Sequence, residues 1–381
     1  MIGNLRSEAD VAVVGAGVVG AATALAIARR GVSTVLLEAE PEPALAASGT
    51  NSGIVHTGFD SAPGELETEL ILRAAELRDP VLEALDLPVL RCGARLRPRD
   101  ERERAAVQEL AASAACNGVD VTLEDDGSLR VPGEAATDPV AFTRALAEAA
   151  ERHGAELRTG WRLAEVEPED SGLALAGAGG GSLRCRILIN CAGLHADEVA
   201  RLCGDSSFEV YPRKGEFLVF GLAPGELREI LLPVPSKRTK GVLVFPTIDG
   251  MVVAGPTAVD GEDKEDWSVR PEAREEIVPK AAALLPAIAD AEPVAAYAGL
   301  RPAGRGVNYL IGPSADCDRL LNVAAIRSTG LTASLGIAER AVRIAVEMGV
   351  EMGPREPLSP APSPPETGSW WRLVAEHRTA P

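Results

Sequence analysis

The sequence predicts a mixed α/β protein in which a doubly wound dinucleotide-binding domain is interleaved with a mainly antiparallel α+β domain. Three observations carry this. Residues 10–38 read strand, Gly-x-Gly-x-x-Gly turn, helix, strand and terminal acid in that order. A second buried strand, Arg186-Ile-Leu-Ile-Asn190, follows far downstream. Between Glu209 and Gly255, short apolar runs break at turn residues and fold back at Asp249-Gly250, as antiparallel strands do.

Each element has its own reason. Val11 to Val14 form the short apolar run of a strand buried on both faces. In Gly15-Ala16-Gly17-Val18-Val19-Gly20, Gly15 permits the tight turn and Gly17 lets the backbone approach a pyrophosphate. Gly20 lets the next helix pack close to the sheet, and that helix points unpaired N–H groups and its positive end at phosphate. Glu38, followed by Ala39, ends the second strand, where a carboxylate can accept hydrogen bonds from ribose hydroxyls. A loop at 46–58 leads to a helix from Glu65 to about Leu85, with an interruption expected at Pro80. A charged helix, Glu101 to Cys116, sits among Arg-rich strand-like pieces. Thr137-Asp138-Pro139 starts a helix that runs to about His153. Strand-like pieces follow at 155–158 and 164–167, and 171–181 reads as a hairpin or loop. A helix near 271–285, strands at 297–301 and 319–325, and a long helix from Leu331 to about Met348 complete the order. The nucleotide domain is assigned to 1–86, 137–206 and 319–352, and the second domain to 87–136 and 207–318. Residues 353–381 are expected to be a flexible Pro-rich tail, with Trp370 and Trp371 its only large apolar group.

Composition narrows the class. A chain of 381 residues can bury two cores, and its net charge of −18 argues against nucleic acid and against an electrostatic membrane anchor. No apolar run reaches the roughly 18 residues of a membrane span, and no secretory signal opens the sequence. A cytoplasmic location follows as the expectation; peripheral membrane contact and oligomeric state stay open. The six cysteines form no C-x-x-C pair and are expected to be free and buried, and no metal site is expected. The acidic run at 260–266 reads as a solvated loop.

Three further motifs carry a resemblance. ILINCAGLHAD, Ile187 to Asp197, resembles the second nucleotide-contact strand of flavoproteins with the glutathione-reductase-like, Rossmann-like FAD fold. SGTNSGIVHTGFDSAPGELETEL, Ser48 to Leu70, resembles the flavin-adjacent loop of the D-amino-acid oxidase-like superfamily. RSTGLTASLGIAERAV, Arg327 to Val342, looks like that superfamily's closing segment, where a Gly-rich turn and a helix N-terminus meet the isoalloxazine ring. Within the group, YPRKGEF (Tyr211 to Phe217) and VVAGPTAVDGEDKED (Val252 to Asp266) are most similar to FAD-dependent glycerol-3-phosphate dehydrogenase of the anaerobic type. L-2-hydroxyglutarate oxidases share the NSGIVHTG-like loop. Anaerobic-type members often continue into a cysteine-containing domain associated with iron–sulfur chemistry, which this sequence lacks. The electron acceptor therefore stays open between oxygen, quinone, NAD and a protein.

The resemblance implies noncovalent FAD and hydride transfer from a small anionic hydroxy compound to flavin N5, with glycerol 3-phosphate leading and 2-hydroxyglutarate next. Amine or amino-acid oxidation, or a flavin-binding subunit without its own turnover, are the other readings. Ser48, Thr50, Asn51, Ser52 and Gly53 would contact pyrophosphate and ring, and Ala192 and Gly193 the nucleotide. The turn at Gly330, with the N–H groups of Leu331 and Thr332, would stabilise negative charge on the reduced ring. His56, in a loop beside glycines, is the candidate base; the alternative is a structural His. Arg301 in Gly299-Leu-Arg-Pro302 resembles the position that clamps an anionic substrate group, against the alternative of a surface Arg. Lys214 could add charge to the pocket or influence oxygen reactivity, or be a solvated strand-edge Lys. Arg327 is unusual for its position before the Ser-x-Gly turn and could alter the substrate charge preference.

Overall fold

The computed structural model describes residues 6–235 and 241–379. Among the described residues, one sheet has eight strands and a second has nine. The first is parallel at its centre. Glu8–Val14 lies between Thr34–Leu37 and Ser182–Asn190, with Val14 opposite both Leu37 and Asn190. Glu156–Arg158 adds a parallel strand on one side and Leu320–Ala324 on the other. The carboxyl ends of the parallel strands gather at one edge, the place where such sheets leave a ligand crevice. Leu163–Glu169 and Gly172–Gly177 extend this sheet as an antiparallel hairpin, so 171–181 holds a paired strand.

Both faces of the parallel centre are covered, which is why Val11 to Val14 are apolar without alternation. Val11, Val13, Leu36 and Ile189 face the helices Val18–Ala28, Leu66–Ala84, Pro139–Arg152 and Gly330–Glu347. Ala12, Val35, Leu188 and Leu320 face the helix Ala196–Leu202 and Phe208. Asp138 caps its helix, its side chain accepting from the N–H groups of Val140 and Ala141 at 2.9 Å each.

The helix Leu66–Ala84 runs through Pro80, where an interruption was expected. A proline in a helix interior costs about 3 kcal/mol. Val81 and Leu82, both buried just beyond it, are each worth roughly 1.5–3 kcal/mol, enough to hold the last turn on the core.

The second sheet is built on Val210–Phe220, which pairs with Ala295–Gly304 from Val210 opposite Gly304 to Val219 opposite Ala295. Val252–Gly255 and Leu243–Pro246 continue it through the turn at Gly250 (φ +81°). The helix Ala273–Ala282 covers one face. On the other, Phe217 stacks on Tyr297 at 4.8 Å between ring centroids, and Trp370 meets Tyr297 edge-on.

That last contact corrects the reading of the tail. Trp370–Thr379 is a helix; Trp370 and Trp371 are 3% exposed and Val374 is fully buried. Upstream, Gly353 N–H donates to the Arg30 carbonyl and Ala361 N–H to that of Ala84. Two buried indoles supply the apolar area that a flexible tail would lack. The cysteines need a second correction. All six are free, yet only Cys185 and Cys191 are buried, and Cys116, at the end of a charged solvent-facing helix, is exposed. The acidic run is tied down as well: Lys264 meets Asp197 at 2.7 Å and Asp266 meets Lys214 at 2.6 Å.

Candidate active site

The strand Glu8–Val14 delivers the chain into a turn that only glycine tolerates. Gly15 sits at φ +98°, and a Cβ there would stand 2.5 Å from the Cys191 carbonyl oxygen. A Cβ on Gly20 would stand 1.8 Å from the Gly15 carbonyl oxygen, so the helix can approach only without a side chain. Around this turn lies a cleft of about 390 Å³. Its walls include Gly15, Gly17, Val18, Val19, Glu38, Ala39, Ser48, Asn51, Ala192, Gly193, Gly330 and Leu331, brought together from distant parts of the chain.

Glu38 organises the turn. Its carboxylate accepts from Ala16 N–H at 2.6 Å and from Glu40 N–H at 2.9 Å. Burial pushes the Glu38 carboxyl above the usual carboxylate range, and these N–H groups partly oppose that. Ser48 accepts from Val18 N–H at 2.9 Å at the N-terminus of the first helix. A second helix N-terminus, at Gly330, reaches the same cleft with no side-chain cap on it.

Beyond Ala47, Asn51 and Arg327, which line both spaces, opens a second cavity of about 500 Å³. Thr50, Ser52, His56, Arg213, Phe217, Thr257 and Arg301 are among its walls. Antiparallel register puts Arg213 opposite Arg301. The Arg301 guanidinium donates to the Thr257 carbonyl at 3.1 Å and to the Arg213 carbonyl at 3.3 Å, and no carboxylate ion-pairs with it among the described residues. Burial, with Arg213 alongside, pushes Arg301 down to about 10. It remains a cation at neutral pH, half-buried and with no ion pair of its own among the described residues; the Asp260 carboxylate, which pairs with Arg213 at 3.4 Å, partly offsets the shift. Gly215 makes room for it: a Cβ there would stand 2.2 Å from the guanidinium.

Across the cavity, His56 Nδ1 lies 2.8 Å from Glu134 Oε2. Glu134 is fully buried, and its other oxygen accepts from Thr57 N–H at 2.6 Å and Thr57 Oγ1 at 2.9 Å. The His56 backbone is fixed too, its N–H donating to Thr332 Oγ1 at 3.1 Å and its carbonyl accepting from Arg78 at 3.1 Å. With Nδ1–H given to the carboxylate, Nε2 is left as the acceptor nitrogen.

A family model described as DAO, FAD dependent oxidoreductase, matches residues 10–344. The chain belongs to this FAD dependent oxidoreductase family. It is 27% identical over 368 residues to the glycerol 3-phosphate dehydrogenase of Caloramator mitchellensis, covering 92% of this chain and 76% of that one. Identity to the L-2-hydroxyglutarate dehydrogenase of Escherichia coli O17:K52:H18 is 26%, covering 68% of this chain and 67% of that one. Among solved structures, the dithionite-reduced L-alpha-glycerophosphate oxidase of Mycoplasma pneumoniae with FAD bound superposes with a TM-score of 0.87. The match has 25% identity and covers 95% of this chain and 100% of that one. The mixed α/β architecture is therefore that of the FAD-binding family, and FAD is its cofactor.

Some expected site residues of this FAD dependent oxidoreductase fall outside both cavities. Lys214 is one. Its neighbour Arg213 faces the cavity, so strand alternation turns Lys214 the other way, onto Asp266 and the Ser268 carbonyl. Thr332 anchors His56 and Ile54, and Gly53 packs on Thr137, where a Cβ would stand 2.3 Å from the carbonyl oxygen. Ala16 and Gly20 build the turn from behind. Arg327, by contrast, lines both cavities, but it is neutralised by Glu67 at 2.9 Å, which also accepts from Thr329 and Asn308. Glu134, Gly215 and Arg213 were missed. No local pattern surrounds Glu134, and its pairing with His56 spans 78 residues. An i/j register between the strands holding Arg213 and Arg301 was the one signal that could have found Arg213.

Proposed function

We propose that this FAD-dependent oxidoreductase acts on the CH–OH group of a small anionic hydroxy compound, with glycerol 3-phosphate the leading substrate. The observation that carries this is the pairing, on one cavity, of a half-buried Arg301 that makes no ion pair among the described residues with a His56 whose Nε2 has no partner among them. Arg301, with Arg213 beside it, takes the phosphate or carboxylate in a bidentate fork. Nε2 of His56 accepts the hydroxyl proton, and Glu134 holds the ring in the required tautomer and steadies the imidazolium that forms. As the O–H proton goes to His56 and the C–H leaves as hydride, the carbinol carbon becomes a carbonyl. Bound FAD supplies the two-electron acceptor for that hydride.

In this reading Glu38 receives ribose hydroxyls, and the turn from Gly15 to Gly20 with Ser48 holds the pyrophosphate. The helix N-terminus at Gly330 and Leu331 offers positive potential to the reduced ring. FAD is held noncovalently. The glycerol 3-phosphate dehydrogenase and the glycerophosphate oxidase among the similar proteins support the substrate class. L-2-hydroxyglutarate is the second reading, since the Arg301 fork suits carboxylate as well as phosphate and a dehydrogenase for that acid is also similar. A panel of small anions tests the reading: purified yellow enzyme, mixed anaerobically, should bleach with one hydroxy compound and not with amino acids. Bleaching by amines alone would overturn it.

A further inference from the structure

The helix Trp370–Thr379 lies beyond residues 10–344, yet its last turn reaches the FAD cleft. Trp370 and Trp371 anchor the helix in the second sheet's core, and Val374 packs at Gly49, where a Cβ would stand 2.7 Å from Val374 Cγ2. That anchoring delivers Arg378 to the cleft wall. Its guanidinium donates to the Leu45 carbonyl at 2.7 Å, pairs with Glu40 at 3.1 Å and stands 3.9 Å from Glu265. It also lies over the Trp267 ring, 4.6 Å from the centroid. Trp267 itself lines the same cleft, its indole N–H buried away from the open space and without a partner among the described residues.

We propose that Arg378 is a determinant of FAD retention. Stacked on Trp267, it neutralises the cleft carboxylates Glu40 and Glu265 so that an anionic dinucleotide can enter. The electrostatics make the need plain. Glu38, Glu40, Glu198 and Glu265 all line the cleft of a chain whose net charge is −18, and a pyrophosphate among uncompensated carboxylates would be repelled. Two imidazoles stand at the same carboxylates, His377 Nε2 2.9 Å from Glu40 Oε2 and His195 Nε2 3.3 Å from Glu265 Oε1. Arg378 also joins Glu40, which follows the second strand of the parallel sheet, to Glu265, which precedes the Trp267 wall. The inference holds whichever substrate is oxidised.

The experiment is titration of the apoprotein with FAD, followed by quenching of flavin fluorescence, with the melting temperature of each apoprotein measured alongside. Arg378→Ala should raise the Kd for FAD about tenfold or more, the equivalent of about 1.4 kcal/mol. Adding Glu40→Gln to Arg378→Ala should recover most of that loss, because the harm is an unpaired carboxylate rather than a missing side chain. An Arg378→Ala protein with the parent Kd would overturn the proposal, as would a loss that Glu40→Gln fails to recover. The apoprotein melting temperatures should stay together, which separates cofactor loss from unfolding.

Discussion

His56 and Glu134 are joined through Nδ1 and a fully buried carboxylate oxygen 2.8 Å apart, although 78 residues separate them in sequence. In the proposed mechanism the relationship divides the labour at the site: Glu134 orients and steadies the ring, while His56 meets the substrate through Nε2. Replacing Glu134 by Gln keeps the volume and removes the anion. Flavin reduction should slow by roughly a hundredfold or more, as when the acid behind a catalytic His is lost. The effect should vanish in a His56→Ala background, since two residues acting as one unit are not additive. Independent, additive losses in stopped-flow reduction would argue that Glu134 does something else.

Arg301 tests the anion site. Arg301→Lys keeps the charge and loses the fork, so KM for the anionic substrate should rise about tenfold to a hundredfold while FAD content is unchanged. Steady-state kinetics with a KM equal to the parent's would take Arg301 out of the binding site.

Gly215 gives a subtler test of the same geometry. Its missing Cβ leaves the space the Arg301 guanidinium occupies, 2.2 Å from where that carbon would stand. Gly215→Ala should displace the guanidinium and raise KM about tenfold or more, with the flavin spectrum unaltered. Kinetics identical to the parent's would show that the cation is not placed by this contact.

The tail carries a stability prediction. Trp370→Ala removes a buried indole from the core between the second sheet and the C-terminal helix, at a cost of about 3–5 kcal/mol in denaturant unfolding. An unchanged midpoint would mean that the helix is not docked.

Acid sensitivity should centre on Glu216. Burial opposes its ionisation, but the guanidinium and N–H of Arg270, with the Thr257 hydroxyl, more than offset this and hold the carboxyl below the usual range. A lowered folded-state value means that stabilisation is present above the unfolded value of about 4.3 and is lost as pH falls through the folded value. The melting temperature of the parent should therefore drop as pH falls below about 4.3, and Glu216→Gln should flatten that drop. A variant with the same acid slope would place the sensitivity elsewhere.

What could be read in advance depended on how local its cause was. The glycines at 15, 17 and 20 meet their own neighbours within one βαβ unit, so residue type and spacing were enough. Asp138 was legible for the same reason, because a cap bonds N–H groups two and three residues away. Lys214 and Arg213 are adjacent, and only the pairing with the strand of Arg301 decides which of them faces the cavity. Glu134, Gly215 and Arg378 act across tertiary contacts that leave no mark on their own sequence neighbourhoods. Pro80 and the tail were misread by composition: buried Val81 and Leu82 overrode one local penalty, and buried Trp370 and Trp371 the other.

In the proposed mechanism this FAD enzyme oxidises an anionic hydroxy compound held by Arg301 and deprotonated by His56. Anaerobic stopped-flow bleaching of the flavin by glycerol 3-phosphate, set against uncharged glycerol at the same concentration, tests it most directly. The phosphate ester should bleach the flavin rapidly and glycerol only a little, and Arg301→Ala should lose that discrimination. A flavin that stays oxidised with glycerol 3-phosphate and every other small hydroxy anion, or one that glycerol bleaches equally well, would contradict it.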